Sequence, residues 1–455
     1  RYDCRSTRNA RQARGIINAA DAPARCGVKR LLLMPRQTLT EWLTYLESLH
    51  PKTIELGLGR FNQVKARLKL EPSFPIITVS GTNGKGSTCA YLDAILSRAG
   101  YRVGCYTSPH ILDYNERVRI MGRVADDRAL CDAFAQIETA RGDISLTYFE
   151  FGTLAAMLLF NINNLDVVIL EVGLGGRLDA VNAFDADCSI VVSVDLDHQD
   201  YLGDTREKIG VEKAGVMRAN RPAICGDIEP PSSVIEYAKN IGADLRLINK
   251  DFGFVKMEQQ WQFWNHAGKK HALPYPALRG TYQLHNASCA LAALDALRDK
   301  LPVSLNDIKR GLLEVELPGR LQVLPGQPAV ILDVAHNPHA AAALAAGLGN
   351  MGFYQNTHAV FAMLKDKDIA SVIKAVKHRI DTWYVAGLPV PRGASDEMLA
   401  QSLEAAGEGA KTRRFASVSN AYAAACEAAA QNDRIIVFGS FYTVAEVMRV
   451  VRRGK

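Results

Sequence analysis

The sequence lacks the features of membrane-spanning, disulfide-stabilised and zinc-binding proteins. No apolar run approaches the roughly 20 residues that a membrane-spanning helix needs, and one of the longest covers only residues 154–160. The nine cysteines are scattered, none belongs to a C-x-x-C pair, and their number is odd. This usage indicates reduced thiols in a cytoplasmic compartment. With 455 residues, 48% of them hydrophobic and 22% charged, we expect a soluble globular protein of two or three domains.

An excess of positive charge is also missing from most of the chain. Residues 1–33 hold seven arginines and one lysine against two aspartates, which accounts for the whole net charge of +6. The remaining residues are balanced, so nothing in them favours a nucleic-acid-binding surface. We interpret residues 1–35 as a basic leader that is poorly ordered or non-native. An upstream extension before Met34, the first methionine, is the preferred explanation, and an Arg-rich transit peptide is the alternative.

Residues 76–100 combine a strand pattern, a glycine-rich turn and a helix pattern. The β-branched run Ile76–Ser80 leads into Gly81-Thr82-Asn83-Gly84-Lys85-Gly86-Ser87-Thr88, after which apolar residues recur at helical spacing up to Gly100. Glycines let backbone N–H groups turn inward, and the N-terminus of the helix adds partial positive charge. Such a loop can hold phosphate, with Lys85 supplying a full charge and Ser87 or Thr88 a hydroxyl.

This loop departs from the strict Walker pattern. Val79 stands six residues before Lys85, where glycine is expected, and Gly86 separates Lys85 from the hydroxyl residues. A plain glycine turn is the alternative for an isolated match. The position between a strong strand and a strong helix favours a phosphate loop.

Strand and helix patterns alternate along both halves of the chain, which predicts an α/β fold with mainly parallel sheets. We divide it at Leu317-Pro318-Gly319-Arg320 into two domains. Residues 36–316 form a P-loop ATPase-like N-terminal domain, and residues 317–455 form a smaller Rossmann-like C-terminal domain. One patch, rich in aromatic residues at 252–263, has a more antiparallel pattern.

Polar side chains interrupt the apolar runs where the predicted strands of the first domain end. They are Lys85, Ser108, Glu171 and His198. Each alone has a structural explanation, such as a turn cap for Ser108 or a helix salt bridge for Glu171. Because parallel strands share one carboxyl edge, their joint occurrence favours a common site. A carboxylate, an imidazole and a hydroxyl beside an ATP loop suit magnesium bound with substrate phosphates.

An ordered set of short motifs carries a family resemblance over nearly all of residues 38–450. Besides Gly81–Ser87, the motifs are Ser108-Pro109-His110, Leu170–Asp179, Leu196-Asp197-His198, Glu212-Lys213-Ala214-Gly215, Pro318-Gly319-Arg320 and Asp333–Pro338. The set resembles the bacterial bifunctional dihydrofolate synthase/folylpolyglutamate synthase family of the Mur ligase superfamily. The resemblance implies an ATP-dependent ligase that adds L-glutamate to dihydropteroate, forming dihydrofolate, and to reduced folates, forming polyglutamates, through an acyl phosphate.

Other functions differ in how well they fit the sequence. A folylpolyglutamate synthase without the first activity stays open. A peptidoglycan Mur ligase is disfavoured by the pterin-loop motifs and by the lack of an N-terminal uridine-nucleotide domain. A GTPase is disfavoured because Asn249-Lys250-Asp251-Phe252 misses the base-reading motif by one position. A non-enzymatic nucleotide-binding module would not need the metal-site residues.

The resemblance assigns roles residue by residue. Catalytic roles fall on Lys85, Lys213 and His198. ATP contacts fall on Thr82, Asn83, Gly84, Lys85, Gly86, Ser87, Asn286, Arg320 and Asp333. Metal ligands are Ser108, Glu171, His198 and Lys213, the last as a carbamate. Pterin contacts are Ile54, Glu55, Leu56 and Gly57, then Thr147, Tyr148, Phe149 and Glu150, then Leu178, Asp179 and Ala180. Glutamate contacts are His336 and Ser440.

The resemblance also implies cofactors and partners. The cofactors are ATP and two magnesium ions, with stimulation by potassium. The substrates are dihydropteroate, reduced folates and L-glutamate. We expect a cytoplasmic monomer that binds neither nucleic acid nor membrane. The chain departs from the family at Leu284-His285-Asn286-Ala287, where Gln-Pro often precedes Asn-Ala. Within the second domain, Asn337 is predicted to cap a helix that begins at Pro338.

Overall fold

The computed structural model describes residues 37–52, 54–265 and 270–453. The predicted leader at residues 1–35 lies outside these residues. From Gln37 onward the chain belongs to a single unit by its internal contacts. Within the described ranges, no helix has both the length and the apolar character needed to cross a bilayer.

The N-terminal part is built on an eight-stranded sheet. Its strands are β1 (Ile76–Ser80), β2 (Val103–Tyr106), β3 (Val118–Ile120), β4 (Arg123–Val124), β5 (Val167–Glu171), β6 (Cys188–Val191), β7 (Pro222–Cys225) and β8 (Asp244–Leu247). Their order is β4-β3-β2-β5-β1-β6-β7-β8. The β2–β3 and β3–β4 pairings are antiparallel, and the other five are parallel. Strand β1 is therefore central, and its carboxyl end, where the glycine loop begins, lies between the ends of β5 and β6.

Ten helices pack against this sheet and the loops around it. They are α1 (Leu39–Leu49), α2 (Gly59–Arg67), α3 (Lys85–Arg98), α4 (Asp127–Arg141), α5 (Tyr148–Ile162), α6 (Gln199–Leu202), α7 (Arg206–Ala214), α8 (Ser232–Ile241), α9 (Gln283–Ala296) and α10 (Leu305–Glu314). Helices α3, α9 and α10 share one apolar core, whereas α1, α2, α4 and α5 belong to the core on the other face. Coverage of both faces explains why every residue of β1 and β5 is buried.

Helix α3 is held tightly because it lies between the sheet, α9 and α10. Nine of its fourteen residues are buried. A Cβ atom at Gly311 of α10 would lie 2.6 Å from Ile95 Cγ1, so the two helices approach at a glycine. Burying one large apolar side chain contributes about 1.5–3 kcal/mol, and several such side chains anchor α3. The N-terminus of α3 therefore has a defined position beneath the glycine loop.

An antiparallel three-stranded sheet follows, as the aromatic patch predicted. Its strands are β9 (Phe252–Lys256), β10 (Trp261–Asn265) and β11 (Lys270–Leu273), in the order β11-β10-β9. Trp261 and Phe263 of β10 are buried in the core that also contains α9. The small sheet thus packs against the α3–α9–α10 side of the N-terminal part.

The C-terminal part is built on a six-stranded sheet. Its strands are β12 (Gln322–Leu324), β13 (Ala329–Leu332), β14 (Thr357–Phe361), β15 (Thr382–Ala386), β16 (Thr412–Phe415) and β17 (Arg434–Phe438). The order is β12-β13-β17-β14-β15-β16, with only the β12–β13 pairing antiparallel in this sheet. Its helices are α11 (Pro338–Gly349), α12 (Ile369–Val376), α13 (Asp396–Ala405), α14 (Val418–Ala428) and α15 (Phe441–Arg453).

The predicted α/β fold with mainly parallel sheets is confirmed. The chain passes from the helices of the first part to the six-stranded sheet between Glu314 and Gln322, around the predicted junction; the domain limits themselves stay a prediction. Helix α2 ends at Arg67, and Lys69 turns into the left-handed region with φ of +53°. Four short 3-10 helices complete the described elements: 114–117, 180–183, 377–379 and 409–411.

Candidate functional site

A cavity of about 670 Å³ lies at the carboxyl edge of the eight-stranded sheet and is lined from both parts of the chain. The predicted residues that line it are Thr82, Asn83, Gly84, Lys85, Gly86, Ser87, Ser108, Glu171, His198, Lys213, Asn286, Arg320, Asp333 and His336. The structure thus brings together the predicted ATP and metal residues and one predicted glutamate residue. The pterin stretches and Ser440 are not part of this lining.

The glycine loop surrounds the N-terminus of α3. Gly84 precedes the helix with φ of +85°, a conformation that favours glycine. Lys85 Nζ donates to the carbonyl oxygens of Gly81 at 2.9 Å and Thr82 at 3.3 Å. The Thr82 N–H donates to the Ser193 carbonyl at 2.9 Å, which ties the loop to the segment after β6. Backbone N–H groups, a helix N-terminus and a lysine therefore converge where phosphate is expected to bind.

The close approach at Gly84 yields a testable prediction. A Cβ atom there would lie 2.5 Å from Asn286 Oδ1 and 2.8 Å from Val192 Cγ1. We expect Gly84→Ala to raise KM for ATP about tenfold or more, since overpacking of about 1–3 kcal/mol would displace the loop or Asn286. The measurement is ADP release against ATP concentration.

Gly100→Ala is the matched control for this prediction. Gly100, at the other end of α3, has a similar φ of +89°, but no described atom beyond its immediate chain neighbours lies within 4 Å of where its Cβ would be. The two variants therefore share backbone strain and differ in crowding. An unchanged KM for ATP in Gly84→Ala, or an equal rise in both variants, would contradict the prediction.

Glu171 ends β5 beside the glycine loop. Its Oε2 accepts the Ser108 N–H at 3.0 Å, and a Cβ atom at Gly86 would lie 3.7 Å from Oε1. Burial raises the pKa of Glu171, while Lys85, the Ser108 N–H and Arg320 act in the opposite direction. A cation in the cavity would further stabilise this buried carboxylate.

The side chains at this edge suit a hard divalent cation that takes its remaining ligands from substrate phosphates. In the described ranges, no group of three or more His, Cys, Asp or Glu side chains is arranged to hold a metal ion. The predicted set instead relies on a hydroxyl, one carboxylate, one imidazole and a modified lysine. Magnesium bound through one or two carboxylates together with substrate phosphates matches such a set.

His198 and Lys213 both line the cavity, and the pKa of each side chain is lowered. Burial lowers the pKa of His198 to about 4, with Asp197 opposing the shift, so the imidazole is neutral at pH 7 and can donate a lone pair. Lys213 is only 3% exposed and makes no hydrogen bond or ion pair with another described residue. Burial, followed by the charge of Lys85, lowers the pKa of Lys213 to about 7. Lys213 is thus a buried lysine of α7 and not a surface one.

Three of the predicted site residues lie in the C-terminal part of the cavity lining. Asp333 accepts the Leu321 and Ala335 N–H groups, each at 2.8 Å. The Arg320 guanidinium lies 5.5 Å from the centre of the Phe441 ring. His336 Nδ1 lies 2.9 Å from the Val334 carbonyl oxygen and must donate to it, which leaves Nε2 as an acceptor. Burial lowers the pKa of His336 to about 4, so this tautomer is uncharged at pH 7.

Side-chain contacts join the two parts across the cavity. Asn83 and Asn337 exchange amide hydrogen bonds of 3.4 and 3.1 Å. His339 Nδ1 lies 2.9 Å from Asp195 Oδ2, and Lys367 Nζ donates to Asp197 Oδ1 at 2.9 Å. Asn337 also caps α11, as predicted, by accepting the Ala340 N–H.

The pairs made by Asp195, Asp197 and Lys367 were not predicted. The two aspartates belong to a strand-end motif, and their partners lie 144 and 170 positions away. The position of an acidic residue at the carboxyl end of a predicted parallel strand could have indicated such a pair. The local sequence does not identify the basic residue that pairs with it.

The three pterin stretches lie together beside the cavity. The Gly57 N–H donates to the Leu178 carbonyl at 3.3 Å. Arg60 connects two stretches, because its guanidinium bonds the Glu55 carbonyl at 2.8 Å and Glu150 Oε2 at 2.9 Å. A Cβ atom at Gly173 would lie 2.7 Å from the Phe149 ring, so Phe149 abuts a residue of the cavity lining.

Two acidic residues of these stretches, Asp179 and Glu150, differ in the contacts that their carboxylates make. Asp179 accepts the Leu174 and Val181 N–H groups at 2.9 and 3.0 Å, and burial raises the pKa of Asp179 to about 7. Glu150 forms a capping box with Thr147 at the start of α5 and pairs with Arg60. Its Oε2 is therefore engaged in holding the fold, whereas its buried Oε1 has no hydrogen-bond partner among the described residues.

Ser440 is engaged in a similar way. It is 3% exposed, accepts the Thr443 N–H at 3.0 Å and lies 2.6 Å from the Thr443 hydroxyl. Its hydroxyl thus binds within the first turn of α15, whose first residue, Phe441, lines the cavity. A direct contact of Ser440 with glutamate stays a prediction.

Comparisons with known proteins agree with this geometry. Residues 79–294 match the model of the Mur ligase middle domain, and residues 319–441 match that of the Mur ligase glutamate ligase domain. The dihydrofolate synthase/folylpolyglutamate synthase of Escherichia coli strain K12 is 48% identical over 414 residues, covering 91% of this chain and 95% of that protein.

Solved structures extend the similarity to three dimensions. An E. coli FolC structure in complex with DHPP and ADP has a TM-score of 0.87 at 47% identity, covering 92% of this chain and 98% of that one. A bifunctional folylpolyglutamate synthase/dihydrofolate synthase with Mn, AMPPNP and L-glutamate bound has a TM-score of 0.84 at 47% identity, covering 91% and 98%.

Proposed function

The chain belongs to the dihydrofolate synthase/folylpolyglutamate synthase family of Mur ligases, and from this membership we propose the reaction that its cavity carries out. It is an ATP-dependent acid–amino-acid ligase that adds L-glutamate to dihydropteroate and to reduced folates. The observation that carries the proposal is the single cavity in which the glycine loop, Glu171 and His198 face Arg320 and His336 of the other part. Such a site can activate a carboxylate with ATP and present it to an amine.

The reaction begins with attack of the acceptor carboxylate on the γ-phosphate of ATP. This forms an acyl phosphate and releases ADP; the amine of L-glutamate then attacks the acyl carbon, an amide forms and phosphate leaves. Lys85, the N-terminus of α3 and Arg320 offset the negative charge that crowds around the transferred group. Because ATP residues come from both parts, their closure would exclude water that could hydrolyse the acyl phosphate.

We assign the remaining ATP and metal roles as the sequence predicted them. Thr82, Asn83, Gly84, Gly86, Ser87, Asn286 and Asp333 contact the nucleotide. Ser108, Glu171, His198 and carbamylated Lys213 would hold two magnesium ions, which would neutralise phosphate charge when bound. The amine of Lys213 is buried and bonds to no described residue, which supports the carbamate, since carbon dioxide reacts with a neutral amine. Stimulation by potassium belongs to the same proposal.

The acceptor and glutamate occupy opposite sides of the cavity in this proposal. The pterin binds among residues 54–57, 147–150 and 178–180, with Asp179 facing its amine. His336 binds the incoming glutamate, because its Nε2 is free to accept a hydrogen bond from the amino group. Ser440 remains a second candidate.

We assign residues 36–316 to ATP and pterin binding and residues 317–455 to glutamate ligation. We assign the protein to the cytoplasm as a monomer without nucleic-acid or membrane partners.

The test is ADP release with L-glutamate and each of three acceptors in turn. Dihydropteroate and tetrahydrofolate should both support turnover, and a UDP-muramyl acceptor should not. Turnover with tetrahydrofolate alone would reduce the function to folylpolyglutamate synthesis. Activity only with the muramyl compound would overturn the substrate assignment. Omission of L-glutamate is the control for uncoupled ATP hydrolysis.

A further inference from the structure

Arg117 carries a positive charge and forms no ion pair with a carboxylate of the described residues. Its Nε donates to His110 Nδ1 at 2.9 Å. Glu116, the acidic neighbour in sequence, instead accepts the backbone N–H groups of residues 111–113. A half-buried guanidinium without a counter-ion is unusual, because burial of an unpaired charge costs free energy.

The guanidinium is held in place by aromatic rings. Its Cζ lies 5.5 Å from the centre of the Tyr114 ring and 5.4 Å from that of Tyr148. The two tyrosines pack edge to face at 5.8 Å. The Tyr106 hydroxyl also lies near the guanidinium, and burial raises the pKa of this phenol, so it stays uncharged. The cation–π contacts and the Nε bond to His110 hold the group in position, and its terminal amino groups form no ion pair with the described residues, so they can take a planar anion.

Arg117 lies outside the cavity lining, between the second pterin stretch and the segment that leads to Ser108. Tyr148 belongs to the second pterin stretch, and the Arg117 carbonyl accepts the N–H of Thr107, the residue before Ser108. Its charge also contributes to the electrostatic environment of Glu171. On the proposed function, an acceptor whose pterin binds at residues 147–150 and whose far end reaches the γ-phosphate would extend past this guanidinium.

The two acceptors differ in what they bring to that position. Dihydropteroate has one carboxylate, and this must approach the γ-phosphate to within about 3–3.5 Å. A reduced folate has a glutamate after the aminobenzoyl unit, so an α-carboxylate accompanies the reacting γ-carboxylate. Only the longer acceptor thus carries a second anion that needs a partner.

We propose that Arg117 binds the α-carboxylate of the glutamate that a reduced folate already carries, and so determines use of the longer acceptor. This assignment rests on the proposed function and goes beyond it by naming a residue that separates the two activities. The competing explanation is a packing role for Arg117 against Tyr114 and Tyr148, which would affect both acceptors alike.

The experiment compares both acceptors on one preparation of Arg117→Gln. We expect KM for tetrahydrofolate to rise about tenfold or more, as for loss of a charge-assisted hydrogen bond, and KM for dihydropteroate to change less than about threefold. The ratio of the two kcat/KM values is independent of the active fraction, so partial misfolding does not affect it. Arg117→Lys, which keeps the charge, should recover part of the selectivity.

Arg123→Gln is the matched control. Arg123 is exposed on the neighbouring strand β4 and makes no side-chain hydrogen bond to the described residues, so its loss should leave the ratio unchanged. Equal losses with both acceptors in Arg117→Gln, no loss, or a selective loss with dihydropteroate would each overturn the proposal. Failure of the parent protein to use either pterin would instead overturn the proposed function.

Discussion

Alanine in place of Lys85 is expected to lower the rate of ligation by about a hundredfold to a thousandfold while the protein stays folded. Lys85 is the first residue of α3 and lines the cavity, with its ammonium group bonded to two carbonyl oxygens of the glycine loop. It can therefore place a full positive charge where negative charge accumulates as phosphate is transferred. Loss of one preorganised electrostatic contact of this kind typically lowers the rate by about a hundredfold to a thousandfold.

The fold should tolerate this substitution because alanine is the strongest helix former and the lysine head group packs against no apolar core. The measurements are ADP release at saturating substrates and the thermal unfolding midpoint. Arg98→Ala is the control: it removes a cation from the last turn of the same helix, where the partner is the exposed Glu314. Near-normal turnover of Lys85→Ala would mean that the loop is structural and would contradict the assignment.

Arginine in place of Lys213 is expected to lower activity by about a hundredfold or more. If Lys213 carries a carbamate, the parent side chain is an anion that binds a cation, and a guanidinium has the opposite charge and no basic lone pair. Burial already lowers the pKa of Lys213 to about 7, so the neutral amine that reacts with carbon dioxide is accessible near pH 7. Activity should also fall when dissolved carbon dioxide is removed and return when bicarbonate is added.

Two further measurements separate the carbamate from a simple lysine. Isotope-labelled bicarbonate should give a carbamate signal that disappears in Lys213→Arg, and a crystal structure should show density beyond Nζ. Lys208→Arg is the matched control, because Lys208 lies on the same helix with its side chain exposed and paired to Asp204. Full activity of Lys213→Arg would refute the carbamate.

The sequence alone was enough for the elements whose signals are local. The strand, glycine turn and helix at residues 76–100 are found as predicted, because β-branched runs, glycines and helical spacing act within a few residues. The Asn337 cap before Pro338 was predictable for the same reason. Strands β7 and β8 were not predicted.

Family motifs placed many candidate residues on one cavity lining, but they did not reveal how each side chain is used. The Glu150 carboxylate bonds Thr147 and Arg60, and the Ser440 hydroxyl bonds Thr443. A short polar side chain near a helix start can cap the helix or bind a ligand, and the residue type permits both. The choice depends on which backbone N–H lies within reach.

Tertiary structure alone decided which distant residues meet. Asn83 and Asn337 are 254 positions apart, and Asp197 and Lys367 are 170 apart, yet both pairs close the same cavity. It also decided that Lys213 is buried in the cavity although α7 has exposed neighbours, and that Arg117 has aromatic rings but no described carboxylate paired with it. Local propensity sets where strands and helices begin and end. The order of strands in the sheets and the packing of one part on the other set burial and charge pairing, and these arise from contacts between residues far apart in the chain.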